Sequence, residues 1–442
     1  MRGGGWDEQA GGVKKLILHI GGGKCGSSAI QEHLRVNVAV LRAQGVLVSS
    51  DDLTPEGPQG GTQVPFMEML RSKPFSQSAL DEPLRPDAAG ILLPRLSALR
   101  DRMERDGLHT LVVSAEDLVN VHAFSQLFAQ ARTLFDIHVV AYIRRQDEYL
   151  ASAWGQWHVK RCASLDAYMA DNLQRPYDWG EMLRAWREDF GADHLRVRLF
   201  ERKFLHDGDA AEDFLKLTGL PFDATHRKVG RVNESHDDRL ISLAHRVRDV
   251  FPSEHDTTFF QVLKAALGNL PESPKEKPFL FDFKRRTALM AVHADANERV
   301  RSTYFPDLPP PLFAPPSAQD TQDLSEFEKL DLDVSTLTRV VYALAVQSVK
   351  AAASQRSLSP ETTRTLAQVA LPDSQVLRAA LHGPWYAERN PDVIKAGVDP
   401  VAHWRTYGVQ EGRLPALDIA VLTLELLKER NEKLAAGAAP RA

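Results

Sequence analysis

The stretch Lys14–Leu34, KKLILHIGGGKCGSSAIQEHL, decides the fold that we expect for this chain. An apolar run, Leu16–Ile20, leads into a glycine cluster that contains Lys24, and a helical pattern begins at Ser27 and Ser28. A strand, a glycine turn and a helix N-terminus in this order form a cradle for an anion, because glycines let the backbone approach and N–H groups point at the ligand. The stretch therefore predicts an anion-binding loop at the end of a buried strand.

Further apolar runs place this loop in an α/β domain. Apart from the two arginines of Leu195–Phe200, they are nearly uninterrupted, which is typical of strands buried on both faces of a parallel sheet. These runs are Val46–Ser49, Thr110–Ser114, Ile137–Ile143 and Leu195–Phe200. Since helical patterns lie between them, we expect a three-layer α/β fold with a parallel sheet and ligands at the carboxyl ends of its strands. Past Phe200 the pattern becomes mainly helical.

Composition excludes several classes of protein. The 442 residues suffice for about two or three domains, and a net charge of −5 argues against nucleic-acid binding. Two distant cysteines, Cys25 and Cys162, predict a reducing compartment and no metal cluster. The N-terminal sequence has no apolar core, so we expect no signal peptide. No window reaches the roughly 18 apolar residues of a membrane helix, and we expect a cytoplasmic protein without a membrane span.

Changes in composition divide the chain. We expect a disordered tail over 1–12, the α/β domain over 13–313, a Pro-rich linker over 314–335, a helical segment over 336–383, and a C-terminal helical module with its tail over 384–442.

The order of residues in the glycine loop separates the anions that it could hold. Gly21, Gly23 and Gly26 match the dinucleotide pattern GxGxxG, and Asp51 follows at about the distance of a ribose-binding acid. An NAD(P)-dependent oxidoreductase is therefore an alternative. A dinucleotide loop needs no lysine, however, and a nucleoside-triphosphate loop has its lysine after the last glycine, whereas Lys24 precedes Gly26. This order suits one terminal tetrahedral anion.

The chain resembles the bacterial sulfotransferases that use 3′-phosphoadenosine-5′-phosphosulfate (PAPS). ILHIGGGKCGSSAIQ (Ile17–Gln31) is similar to the family's P-loop-like 5′-phosphosulfate loop, with serines where threonines are commoner. HVVAYIRRQDEYLASAWGQW (His138–Trp157) is similar to its 3′-phosphate motif, and VVSAEDL (Val112–Leu118) to the strand end between the two. The resemblance covers about residues 13–313 and implies an enzyme that transfers a sulfuryl group to a hydroxyl.

Site roles follow from this resemblance residue by residue. Lys24 would stabilise the leaving phosphate oxygen, and Gly26, Ser27 and Ser28 would hold the 5′-phosphosulfate. Arg144 and Ser152, eight residues apart, would hold the 3′-phosphate; the planar fork of an arginine binds phosphate in a bidentate manner.

The general base is open between two interpretations of Glu116. It follows a predicted strand and is placed to accept the acceptor's proton. Alternatively, Ser114 caps a helix and Glu116 lies in its first turn. His19 and His158 are secondary candidates, although a histidine inside an apolar strand is more often packed in the core.

The remaining segments bear on partners. His226–Ser235 is a basic loop that we interpret as solvated, with a role at the 3′-phosphate as the alternative. Trp385–Pro415 is similar to a short helical module of bacterial enzymes that act on cell-surface glycans. The resemblance and this module together imply a carbohydrate or glycolipid acceptor, and partner docking through the module. A non-catalytic glycan- or partner-binding protein on the same fold is the third alternative.

Overall fold

The computed structural model describes residues 13–60, 64–73, 80–116, 118–175, 177–227, 236–268, 276–354, 383–403, 406–407 and 411. The expected tail over 1–12, most of the basic loop, and much of the segments expected over 336–383 and 384–442 lie outside them.

A five-stranded sheet forms the centre of the fold, and all its strand pairs are parallel. The strands are β1 (Lys15–His19), β2 (Val46–Val48), β3 (Thr110–Ser114), β4 (Asp136–Ile143) and β5 (Leu195–Leu199). Their order across the sheet is β2-β3-β1-β4-β5. The strand that carries the glycine loop is thus central, with the ends of β3 and β4 beside its own end.

Successive residues of the central strands are buried, so helices cover both faces of the sheet. Every residue of β3 is buried, as are all those of β4 after Asp136. This is the burial that the unbroken apolar runs predict, and the α/β class expected from the sequence is confirmed.

The helices that follow are numbered in chain order. They are α1 (Ser27–Val36), α2 (Val38–Ala43), α3 (Val64–Met69), α4 (Ala88–Arg105), α5 (Ala123–Ala129), α6 (Gln146–Gln156), α7 (Leu165–Gln174), α8 (Trp179–Phe190), α9 (Ala210–Thr218), α10 (Asp238–Arg246), α11 (Thr258–Leu267), α12 (Phe283–Val292), α13 (Ala294–Tyr304), α14 (Glu326–Ser354), α15 (Gly383–Arg389), α16 (Pro391–Lys395) and α17 (Pro400–His403). None of the helices in the described ranges is long and apolar enough to span a membrane.

Backbone contacts divide the chain into two units. The first contains the sheet and comprises the described residues up to Ile241, together with Val247–His255 and Glu276–Asp323. The second comprises Ser242–Arg246, the described part of Asp256–Lys275, and the described residues from Leu324 onward.

The boundary between these units, at Asp323 and Leu324, lies within the linker expected over 314–335, but the residues of that segment are structured. Leu312 and Phe313 are buried, and the Gln322 N–H donates to the Pro278 carbonyl (2.9 Å), so the Pro-rich segment belongs to the first unit. Helix α14 then begins at Glu326 because Ser325 and Glu328 form a reciprocal cap. The sequence contains the corresponding S-x-x-E capping pattern, Ser325 to Glu328.

In the second unit, the aromatic C-terminal segment is helical. Tyr386 is buried, and its hydroxyl lies 3.2 Å from Nδ1 of His403, whose ring also packs on Tyr407. The Asp399 carboxylate accepts from the Ala402 N–H at 2.8 Å at the start of α17. These contacts are packing and capping.

Candidate functional site

The glycine loop leaves β1 at the carboxyl end of the sheet with two left-handed residues. Lys24 has φ 63° and Gly26 has φ 90°. A Cβ on Gly26 would lie 2.5 Å from the Phe200 ring, so only glycine fits there. A left-handed lysine is uncommon and costs about 1–2 kcal/mol. Such strain is concentrated at functional sites.

Aromatic residues from distant elements hold the loop. A Cβ on Gly22 would lie 2.8 Å from the Trp179 ring, so the loop backbone packs directly on the indole. The same indole donates to the Arg144 carbonyl at 2.8 Å. Within the loop, the buried Ser27 hydroxyl donates to the Gly22 carbonyl at 3.4 Å. Trp179 therefore fixes the loop and the end of β4 relative to each other.

The Lys24 ammonium is directed at α6. It donates to the Gln156 side-chain carbonyl and lies 5.9 Å from the centre of the Trp157 ring. Burial lowers the pKa of Lys24 below its usual 10.5, the Glu116 carboxylate raises it, and Arg144 lowers it further. Lys24 thus lies within electrostatic reach of both an acid and a second cation.

Arg144 follows β4 and is bound on both sides. Its Nε donates to Glu148 at 3.0 Å, and one terminal nitrogen donates to the Lys24 carbonyl at 3.2 Å. The guanidinium lies 5.7 Å from the centre of the Phe200 ring. Arg145, its neighbour, pairs instead with the fully buried Asp147. Arg144 is the arginine that belongs to the loop.

Ser152 lies on the loop-facing side of α6. Residues four apart on a helix share one face, and Glu148, Ser152 and Gln156 form such a row. All three are half-buried. Because Glu148 binds Arg144 and Gln156 binds Lys24, Ser152 is the middle residue of a row whose two ends contact the site cations.

Glu116 does not lie in the first turn of a helix capped by Ser114. Ser114 ends β3 with its hydroxyl 2.8 Å from His19 Nδ1, and its carbonyl accepts from the Gln31 side chain. The next helical element of the described residues is the short turn Leu118–Asn120. Glu116 is a half-buried turn residue at the carboxyl end of the sheet.

The two histidines that are secondary candidates for the general base are not in solvent-exposed environments, and burial lowers the pKa of both. His19 is fully buried, and burial lowers its pKa to about 4. Its ring packs against Tyr142 and Phe214. Burial also lowers the pKa of His158, whose ring packs on Tyr168. His19 is a core histidine, as its strand position predicts.

Of the basic loop, the structure describes His226 and Arg227, and both are anchored: His226 is buried and stacks on His33 with ring centres 5.8 Å apart. The Arg227 N–H donates to the Asn37 side chain at 2.6 Å, and the Arg227 carbonyl accepts from the same amide. The segment after it lies outside the described residues, so the alternatives for Lys228 and Arg231 stand as predictions.

Two of the aromatic rings that pack on Trp179 line a cavity. Tyr149 and Tyr177 pack against its indole with ring centres 5.8 and 4.9 Å away, and both line a cavity of about 390 Å³. Polar groups at its wall include Asp171 and Asn172. An aromatic wall with a few polar groups is typical of small-molecule sites.

Sequence reasoning missed Gln156, Trp179 and Phe200. Gln156 carried a signal, since it lies one helical turn beyond Ser152. Trp179 and Phe200 reach the loop only through the tertiary fold, and no local pattern marks them.

Compared with known proteins, the chain matches no family model and none of the curated proteins significantly.

Proposed function

We propose that this protein is a PAPS-dependent sulfotransferase that transfers a sulfuryl group to a hydroxyl of a carbohydrate or glycolipid. One observation carries the proposal. Lys24, Glu116 and Arg144 follow the three adjacent strands β1, β3 and β4, and the charges of the other two act on Lys24. The three residues belong to separate sequence motifs, and all three follow the carboxyl ends of adjacent strands of the sheet.

The glycine loop fits a 5′-phosphosulfate. The backbone at Gly26 opens α1, so its N-terminal N–H groups are available to an anion. Ser27 and Ser28 add hydroxyls, and Lys24 adds a cation on a strained, fixed backbone. We expect the loop to serve as the P-loop-like phosphosulfate cradle.

The chemistry requires an in-line displacement. PAPS supplies an activated sulfuryl group, whose bond to the phosphate oxygen breaks as the acceptor oxygen attacks sulfur. Lys24 stabilises the negative charge on that leaving oxygen. Glu116 takes the acceptor's proton. Gln156 holds the Lys24 ammonium through a neutral amide, so the positive charge is positioned without being cancelled.

The 3′-phosphate would be bound by Arg144 and Ser152. Arg144 is placed by Trp179 and by the Lys24 carbonyl, so its fork is oriented before ligand binds. Its ion pair with Glu148 must open or be shared. Ser152, between the contacts of Glu148 and Gln156, supplies a hydroxyl to the same phosphate.

Strand order argues against the dinucleotide alternative. In the dinucleotide fold, the strand whose end carries the ribose-binding acid lies next to β1. Here β3 lies between β1 and β2. Asp51, the acid of that alternative, is exposed beyond β2, and its neighbour Asp52 is bonded to Ser50 and Thr54. Calorimetry should therefore detect no NAD binding while adenosine-3′,5′-bisphosphate binds.

The cavity lined by Tyr149 and Tyr177 is the place we assign to the acceptor. Sugar rings stack on aromatic side chains through their apolar faces, and these two tyrosines, which pack on the Trp179 indole, provide such faces. Asp171 and Asn172 would accept and donate hydrogen bonds to hydroxyls.

Transfer of label from ³⁵S-PAPS to a panel of glycans and glycolipids tests the enzymatic proposal. We expect a labelled product with wild-type protein, and none with Lys24→Ala. Lys216→Ala, an exposed lysine near the end of α9, serves as the matched control. Bisphosphate binding without transfer to any member of the panel would favour the non-catalytic alternative.

A further inference from the structure

A second cluster of chemically active side chains lies at the opposite, amino-terminal edge of the sheet. Asp136 and His138 are the first and third residues of β4, and His194 immediately precedes β5. Their ligand atoms all lie within 4.8 Å of one another. We propose that these three residues bind a divalent transition-metal ion of the Zn²⁺ type.

The sheet itself brings the three side chains together. Alternate residues of a strand point to the same face, so Asp136 and His138 share a face. The register pairs Val139 with Leu195, which puts His194 beside His138 on the neighbouring strand. The ring centres are 5.1 Å apart, close to the spacing of about 4.8 Å between strands. The cluster is therefore built on rigid backbone.

Distances within the cluster fit a tetrahedral ion. With metal–ligand bonds of about 2.0–2.1 Å, neighbouring ligand atoms of a tetrahedral site lie about 3.3 Å apart. His194 Nε2 lies 3.3 Å from one oxygen of Asp136. His138 Nε2 lies 2.8 Å from the other oxygen, and a small side-chain rotation widens that gap.

The composition of the cluster selects the class of ion. Imidazole nitrogens suit zinc, copper, nickel and iron, whereas magnesium and calcium prefer oxygen ligands. Two histidines and one carboxylate leave a fourth position open, as in catalytic zinc sites. All three residues line a cavity of about 860 Å³, which gives an ion access and leaves room for water or a further ligand.

Calorimetric titration of chelator-treated protein with Zn²⁺ tests this inference. We expect one equivalent to bind, an excess of Mg²⁺ to leave binding unchanged, and Zn²⁺ to raise the melting temperature. His194→Ala should weaken the affinity for Zn²⁺ at least about 100-fold, because losing a ligand costs more than losing a group that only hydrogen-bonds to a ligand. Circular dichroism confirms that the variant is folded; Asp136→Asn provides a second variant that keeps the side-chain volume.

Two controls make the result specific. His255→Ala removes an exposed histidine and should bind as wild type does. His206→Ala tests the other histidine-containing cluster, with Asp207 and Glu212. Absence of stoichiometric binding to wild type, or unchanged affinity in both His194→Ala and Asp136→Asn, would overturn the proposal.

Co²⁺ substitution should give the intense visible bands of a four-coordinate site, and weak six-coordinate bands would contradict the tetrahedral geometry. None of these measurements depends on the proposed sulfuryl transfer.

Discussion

Lys24 combines two properties that a substitution can separate, its charge and its left-handed backbone. Lys24→Gly removes the ammonium and relieves backbone strain of about 1–2 kcal/mol. This gain in stability offsets two losses: the contacts of the ammonium with Gln156 and Trp157, and the greater conformational entropy that glycine gives the unfolded chain. We expect its free energy of unfolding to stay within about 1 kcal/mol of wild type in urea titrations, while bisphosphate affinity falls. A stable variant that binds as well as wild type would show that Lys24 has no role in the site.

His19 gives the fold a pH dependence. Its pKa is lowered by burial to about 4 in the folded chain, against 6.5 in the unfolded chain. The unfolded state therefore binds a proton that the folded state does not, and stability falls as the pH decreases from 6.5 towards 4. The loss between pH 7 and pH 5 should be about 2 kcal/mol. Comparing wild type with His19→Gln by urea unfolding at both pH values isolates this contribution, and equal pH slopes would contradict it.

At the scale of elements, α6 is the helix that lines the site. Glu148→Gln keeps an acceptor for Arg144 but removes a negative charge beside the proposed 3′-phosphate position. We expect adenosine-3′,5′-bisphosphate to bind about 2- to 5-fold more tightly by calorimetry. This range follows because the repulsion between the half-buried Glu148 carboxylate and a bound phosphate is worth up to about 1 kcal/mol. Weaker binding by a similar factor would mean that Glu148 serves to position Arg144.

Ser152→Ala tests the middle of the same helix row. Removing one hydrogen bond to a charged phosphate should weaken bisphosphate binding about 10-fold, with no change in melting temperature because the side chain is half-buried. Ser302→Ala, an exposed serine on α13, is the matched control. Unchanged affinity in Ser152→Ala would remove this residue from the site.

The elements also show what the sequence could predict. Thr110–Ser114 is the observed β3, and β1 and β4 begin and end within one residue of the predicted runs, because strands buried on both faces carry unbroken apolar runs. The edge strand β5 also matches its predicted run within one residue, although its arginines are half-buried and alternate with apolar residues. The first helical segment is interrupted at Asn37, between α1 and α2, where the Asn37 side chain donates to the His33 carbonyl. The placement of Trp179 and Phe200 against the loop depends on contacts between distant segments.

At the scale of the whole molecule, the C-terminal helical module belongs to the second unit, and the proposed site is in the first. Deleting 376–442 should leave bisphosphate affinity within about 2-fold, while lowering transfer to the best acceptor of the glycan panel if the module docks the enzyme to its target. Calorimetry and the label-transfer assay measure the two quantities separately. Loss of bisphosphate binding in the truncated protein would contradict this division of roles.

The negative charge of the molecule makes its local cations decisive. With a net charge of −5, the chain has no general attraction for a bisphosphate, so binding must depend on the cations at the carboxyl edge of the sheet. The strand order puts Lys24 and Arg144 there together.

The most direct test of the central claim is the calorimetric affinity for adenosine-3′,5′-bisphosphate in wild type, Lys24→Ala and Arg144→Ala, with Lys216→Ala and Arg132→Ala as matched surface controls. We predict that wild type and both controls bind with equal affinity, and that each site variant binds at least about 10-fold more weakly, as the loss of a hydrogen bond to a charged group implies. Equal affinity in all five proteins, or no binding to wild type, would contradict the sulfotransferase account.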